Sequence, residues 1–556
     1  MLNTYLSQYV TQNGAARQAA VSGTVELSNL IPPTVSYQSE GNLLIVGPYH
    51  IITDLESHFS TLNSITLLAT DSPIMNDSDQ KANNLYVADS VSLSGYLGAF
   101  VVTCRNHGIN TVLSTAAIRQ PCFDLVLDMS LNGLMSEEVP VPGYYPVGRG
   151  YPKLASVIEE IPDLIGTFDK PKYFRFQSDL CAHSSRGVKG CERCIDSCPA
   201  GALTSEGTEK TGHHIQINPY LCQGVGTCAT SCPTEAISYA FPDAKNTQHF
   251  TQRLLNRYYE SGGKNPILLF CSKRHAHFNL TALQNLPENV IPIELEDLPS
   301  VGIDSWFSAL INGAAQVLFV ASRRMPKTVI RVLEQEVNIA RSLLKDLDQQ
   351  PDRVLITYVE DLHQPRLISQ PMTRENMTLD GTKREKLFTA LDCLAKITTP
   401  TEVITEVDIG APFGRVNCLT ENCTMCMSCV AVCPTRALHA NPDSPKLLFI
   451  EQDCVQCGLC EKACPEQAIS LQPQMNWNPS NRKSITVLHQ EPAAQCLCCD
   501  KPFAPLSMVN MLIDKLQGNS HFNTEQSLRR LSMCEDCRVK DIFNDLADNP
   551  EQQLNL

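Results

Sequence analysis

The chain has 556 residues, 59 acidic against 44 basic side chains for a formal net charge of -15, and 25 cysteines. That length can bury several cores, so three or four domains are expected, and the acidic balance argues against a protein whose main work is gripping nucleic acid, which needs Lys and Arg on phosphate. The N-terminus, Met1-Leu2-Asn3-Thr4-Tyr5, lacks a basic region followed by an apolar export segment, so the cysteines read as reduced thiols of a cytoplasmic protein rather than a secreted disulfide framework.

Residues 1–170 are read as an N-terminal α/β domain. Asn42–Gly47, a helical stretch and Ser64–Ala69 form a β-α-β pattern, with further strands expected at 99–103 and 123–128. The turn Gly47-Pro48-Tyr49-His50 lacks the glycine series that lets a backbone approach a pyrophosphate, so a structural domain is favoured over a dinucleotide site. The Pro/Gly-rich stretch 139–146 is expected to separate this domain from the next.

From there a phrase recurs four times: Cys-Pro, two variable residues, Ala, then Leu or Ile, starting at Cys198, Cys232, Cys433 and Cys464. Two of the copies close runs with complete spacing, Cys423-x2-Cys426-x2-Cys429-x3-Cys433 and Cys454-x2-Cys457-x2-Cys460-x3-Cys464. Such a run wraps three thiolates round an iron-sulfur cube and sends the fourth cysteine to the neighbouring cube. The Pro is expected to open a short helix that the Ala and Leu or Ile pack against a small core.

Residues 415–472 resemble the two-cluster bacterial ferredoxin module. One [4Fe-4S] cluster then falls on Cys423, Cys426, Cys429 and Cys464, and a second on Cys454, Cys457, Cys460 and Cys433. Zinc is disfavoured because zinc sites use separated Cys-x2-Cys pairs. Cys418 lies outside the pattern and reads as a spare thiol.

The earlier block, 171–245, is a variant dicluster module. Its first half reads Cys181-x9-Cys191-x2-Cys194-x3-Cys198, and a [4Fe-4S] cluster on Cys181, Cys191, Cys194 and Cys232 is expected. Its second half reads Cys222-x5-Cys228-x3-Cys232, with Val225 where the middle cysteine belongs. Cys198, Cys222 and Cys228 alone suit a [3Fe-4S] cluster, or a [4Fe-4S] cluster with a non-cysteine group on its fourth iron. His213 and His214 are read as exposed loop residues, with an approach to that vacant corner as the alternative.

Between the modules, residues 264–365 alternate strands (266–271, 290–295, 315–321, 354–358) with helices (306–312, 327–347), which implies a parallel sheet covered by helices. This order, with Asn312-Gly313-Ala314-Ala315 before the third strand, resembles the delta subunit of methyl-viologen-reducing hydrogenases. The resemblance implies a docking or scaffold domain; here only Cys271 remains of that family's cysteines, and Ser322 stands where another is usual.

Residues 485–545 carry Cys496-x2-Cys499 and Cys534-x2-Cys537, two knuckles of a zinc-ribbon-like tail that fit a structural zinc, with Cys498 uncoordinated. No apolar run is long enough to cross a bilayer, so direct membrane insertion is not expected.

The fold class is therefore multidomain α/β plus α+β: an N-terminal α/β domain, two ferredoxin-like dicluster modules flanking a parallel-sheet domain, and a zinc-ribbon-like tail with four cysteine ligands. No nucleophile-base set, phosphate loop or flavin fingerprint is present, so the chain reads as an electron-transfer component working with a redox protein partner rather than a lone enzyme. It resembles the iron-sulfur proteins that accompany formate dehydrogenases and heterodisulfide-reductase-type complexes. The alternative is a maturation or redox-sensing protein for such an enzyme.

Overall fold

The computed structural model describes residues 6, 9–24, 33–71, 84–183, 189–208, 210–273, 286–362, 364–368, 370–522 and 524–548. The N-terminal sheet is built on the continuous apolar run Asn42–Gly47, buried at every residue, as a strand covered on both faces must be. It pairs in parallel with Ser64–Ala69 and Leu125–Asp128, and Leu85–Val87 and Tyr144–Tyr145 form the edges.

One expected strand is shifted and one expected boundary fails. The strand expected at 99–103 is Val101–Asn106, and it belongs to a separate antiparallel sheet with Ser90–Ser94 and Ile109–Val112. Its burial alternates, the signature of a sheet with one wet face. Nor does the Pro/Gly-rich stretch separate domains. Tyr144–Tyr145 is an edge strand, the Tyr144 hydroxyl donates to buried Asp128 at 2.7 Å, and Gly166–Pro171 returns to pair with Thr34–Ser39.

The central sheet runs Val290–Leu295, Ile267–Ser272, Gln316–Ala321, Val354–Tyr358, all parallel, as the alternation predicts. Ile303–Ile311 is buried throughout because Ala244–Glu260 and Lys383–Thr398 pack on it. The helix Lys383–Thr398, started by a capping box between Thr382 and Glu385, was not anticipated. It carries two buried ion pairs, Lys386 to Asp304 at 3.6 Å and Asp392 to Arg482 at 2.5 Å.

In the second cysteine-rich module Gly414–Cys418 pairs with Ile469–Asn476, and Leu438–Ala440, Lys446–Phe449 and Thr486–Gln490 form a second sheet. The tail is a short hairpin, Ala493–Gln495 with Pro502–Pro505, followed by helices including Leu506–Leu516 and Glu535–Asp548. No helix among the described residues is long and apolar enough to cross a membrane.

Candidate metal centres

Four short helices, Arg193–Asp196, Thr227–Ser231, Ser428–Ala431 and Leu459–Lys462, each carry a cysteine at the second residue: Cys194, Cys228, Cys429 and Cys460. Each helix precedes a Cys-Pro, and the third residue after that cysteine is left-handed: Gly201 (φ +59), Glu235 (+60), Arg436 (+57) and Gln467 (+51). A left-handed residue cannot continue a right-handed helix, so the helix expected after the Pro does not form. The Leu or Ile instead opens a strand, at Leu203, Ile237, Leu438 and Ile469. The turn also aims amides at sulfur: Ala202 N donates to Cys198 Sγ at 3.4 Å and Ala468 N to Cys464 Sγ at 3.2 Å.

In the second module Cys423, Cys426, Cys429 and Cys464 line one cavity, and Cys433, Cys454, Cys457 and Cys460 line another. The rest of each lining is mainly aliphatic or methionine, and the clustered sulfurs form a soft donor set suited to iron-sulfur clusters. Burial pushes the Cys429 thiol up to about 12 and Cys457 up to about 11, so these two become thiolates at neutral pH only once a metal supplies positive charge. Cys426 is the exposed member of these eight. Cys418 is closer than its sequence position suggests: it hydrogen-bonds Cys423, holding that thiol down to about 6 while its own is pushed up.

In the first module Cys194 feels Cys232, Cys191 and Cys181, Cys228 feels Cys222 and Cys198 and then Cys194 and Cys232, and all of these except Cys191 gather in or against one small core. Around the missing cysteine the loop keeps its form. Gly224 (φ +70) and Gly226 (+87) flank Val225 as Met425 (+55) and Met427 (+60) flank Cys426 and as Gln456 (+53) and Gly458 (+78) flank Cys457. Val225 itself is buried in the core of the central domain. A Cβ at Gly224 would lie 2.6 Å from the Tyr173 ring, so glycine is required there by both backbone and space. His213 lies 6.2 Å from His183, ring to ring, and His214 faces Glu206, which associates the histidine pair with the Cys181 side of the module.

Three basic residues outside the cysteine motifs contact cysteine carbonyls. Lys170 Nζ donates to Tyr220 O (2.9 Å) and Cys222 O (2.8 Å). Lys383 Nζ donates to Ala229 O (3.1 Å), Thr230 O (2.7 Å) and Cys232 O (3.2 Å). Arg384 donates to Gln452 O (2.5 Å), Pro412 O (2.7 Å) and Cys454 O (2.6 Å), and its guanidinium lies over Phe388 and Phe413. Burial lowers Lys170 to about 8 and Arg384 to about 10, which leaves both mainly charged at neutral pH. Sequence reasoning missed all three because a lone Lys or Arg carries no local signature.

The two modules touch. A Cβ on Gly190, next to Cys191, would stand 2.9 Å from Leu459 Cδ2, and Arg193 donates at 2.7 Å to the carbonyl of Gly410, just ahead of the second module. In the tail, ligand atoms of Cys496, Cys499, Cys534 and Cys537 all lie within 4.8 Å of one another. Cys534 N donates to Cys496 Sγ at 3.3 Å, while Cys498 is exposed and outside the group.

These turns and sulfur groups define an iron-sulfur protein with ferredoxin-type domains, the class whose chemistry is electron transfer. A family described as 4Fe-4S dicluster domain matches residues 189–236, and one described as 4Fe-4S binding domain matches 419–439 and 447–470. The chain is also similar to the ferredoxin-type protein NapF of three strains of Escherichia coli, 44% identical over 48 residues. That stretch is 9% of this chain and 29% of each relative, so the chain spans under a third of the length of the curated relatives it matches.

Proposed function

We propose that this chain is a four-cluster electron relay, an iron-sulfur subunit passing electrons between a partner dehydrogenase or hydrogenase and another acceptor. The observation that carries the reading is the contact between the modules, where Gly190, next to Cys191, packs against Leu459, which lies between Cys457 and Cys460. On this reading the centres follow in order: Cys423/Cys426/Cys429/Cys464, Cys433/Cys454/Cys457/Cys460, Cys181/Cys191/Cys194/Cys232, then Cys198/Cys222/Cys228. The first three are [4Fe-4S] clusters and the last is [3Fe-4S]. The retained turn around Val225 supports a cluster at the last position, and a side chain committed to the central core supports the missing iron.

Exposed Cys426 marks the end at which a redox protein exchanges electrons with the relay, and the central parallel sheet is the scaffold that holds the modules together. Resemblance favours a formate dehydrogenase as the partner enzyme. The test is anaerobic purification from the native organism, with iron and sulfide analysis and identification of co-purifying subunits. Fifteen or so irons per chain and a dehydrogenase, hydrogenase or reductase subunit are expected, from three four-iron clusters and one three-iron cluster. Loaded chain recovered repeatedly alone or with assembly factors would overturn the relay.

A further inference from the structure

Lys383 and Arg384 are consecutive on the first turn of one helix, yet they serve different modules. Lys383 reaches the carbonyl of Cys232 and Arg384 that of Cys454, and these cysteines belong to the two clusters on either side of the inter-module contact.

The same helix shows how this chain treats buried charge when the role is packing. Lys386, one turn on, is paired with Asp304 at 3.6 Å, and Asp392 is paired with Arg482 at 2.5 Å. Lys383 and Arg384 make no ion pair among the described residues; the partners of their side chains are carbonyl oxygens. Both side chains are half-buried, and a charge drawn partly out of water calls for compensation nearby. Glu336 acts on Lys383 and Asp453 on Arg384 without closing an ion pair, and a four-thiolate cluster, anionic in both oxidation states and more so on reduction, adds the further counter-charge. Lys170 makes the same arrangement at Cys222 from an unrelated strand, Gly166–Pro171.

We propose that Lys383 and Arg384 are the charge-compensating and positioning residues of the electron step between the two ferredoxin modules. Each sets one positive charge beside one of the two facing clusters, and their shared helix turn holds the gap. Desolvation would otherwise depress the potentials of these inner clusters below that of the exposed Cys426 cluster, because adding an electron to a buried anion is unfavourable in low dielectric. The two cations offset that penalty and keep the inner step from running uphill.

This inference rests on the relay reading, and its test needs no partner enzyme. The full-length chain, purified anaerobically, is titrated by EPR-monitored potentiometry as Arg384→Gln, Lys383→Gln and Arg384→Lys beside the unaltered protein, with signals assigned by Cys429→Ser and Cys460→Ser. In Arg384→Gln the cluster on Cys433, Cys454, Cys457 and Cys460 should fall at least tenfold in its reduced-to-oxidised ratio at fixed potential, which is about 59 mV for one electron. In Lys383→Gln the cluster on Cys181, Cys191, Cys194 and Cys232 should fall likewise. The Cys423 cluster should be unmoved in both, and Arg384→Lys should stay close to the unaltered protein.

The proposal is overturned if all centres of Arg384→Gln titrate unchanged, or if Arg384→Lys shifts as far as Arg384→Gln. Failure of Arg384→Gln to load its cluster while Arg384→Lys loads normally supports the requirement for charge. Failure of both to load makes Arg384 a packing residue and removes the proposal. An unaltered chain without four clusters would instead defeat the relay reading itself, before any variant is compared.

Discussion

Gly190 and Leu459 close the seam between the two ferredoxin modules: a Cβ on Gly190 would stand 2.9 Å from Leu459 Cδ2 and 2.0 Å from the Ala182 carbonyl oxygen. Gly190 precedes Cys191, and Leu459 lies between Cys457 and Cys460, so the contact joins loops of the two facing centres.

Gly190→Ala should therefore cost stability and widen the seam. The backbone oxygen cannot yield as a flexible side chain would, and overpacking of this kind costs about 1–3 kcal/mol. Leu459→Ala removes a fully buried side chain, with a cost of about 2–5 kcal/mol. Both should lower the melting temperature and weaken magnetic interaction between the modules in the EPR spectrum of the reduced protein. An unchanged spectrum and melting curve would show that this contact does not set the gap.

Val225→Cys should convert the three-cysteine site to a four-cysteine one. Its flanking glycines already hold the left-handed turns found around Cys426 and Cys457, so the loop needs no refolding. Val225 is also part of the central core, and the smaller side chain should cost about 1 kcal/mol or less. The expected readout is loss of a near-isotropic [3Fe-4S] signal in the oxidised protein and a gain of one iron per chain. Absence of that signal from fully loaded unaltered protein would assign four irons to the site from the start.

The cysteine groups that line the two cavities of the second module and the strands of the central sheet were legible because both are written locally. Cysteine spacing fixes which thiols share a loop, and continuous apolar runs such as Gln316–Ala321 announce buried parallel strands. The backbone after each Cys-Pro was misread because a Pro suits a helix start, whereas the deciding feature is the left-handed residue beyond it, which is Gly once but Glu, Arg and Gln elsewhere. Tyr144–Tyr145 was hidden in a Pro-rich stretch because its strand pairing depends on a distant partner, Val126–Leu127. Lys170 and Lys383 were invisible for the same reason, with carbonyl partners 52 and 153 residues away, and so was Arg384, whose contact with the Cys454 carbonyl spans 70 residues.

Asp392→Ala should be among the most destabilising single changes in the chain. Arg482 is 1% exposed, its guanidinium lies 4.4 Å from the Phe388 ring, and Asp392 is its only ion-pair partner among the described residues. Removing one member of a buried pair strands the other charge, at about 3–5 kcal/mol. The double variant Asp392→Leu with Arg482→Met removes both charges and should recover much of that loss. Because this pair ties the helix bearing Lys383 and Arg384 to the second module, Asp392→Ala should also reduce cluster loading there. A melting temperature within a degree of the unaltered protein would refute the account.

The four-cysteine tail should hold one zinc that is independent of the iron. A Zn–S bond of about 2.3 Å places tetrahedral sulfurs about 3.8 Å apart, and Cys499 Sγ and Cys534 Sγ are 3.7 Å apart. The four cysteines come from the hairpin end and from the start of the helix Glu535–Asp548, so a metal here staples two elements that share a small apolar cluster around Met533 and the exposed ion pair Lys501–Asp536. Cys534→Ser should lose the zinc, leave the iron content unchanged and make the tail sensitive to protease, as expected where metal binding and folding are one equilibrium. Acidification should release the metal too, since the thiols must be deprotonated to bind it. Iron at this site, seen as residual metal and visible absorption once all fifteen cluster cysteines are replaced, would make it a redox centre and end the structural assignment.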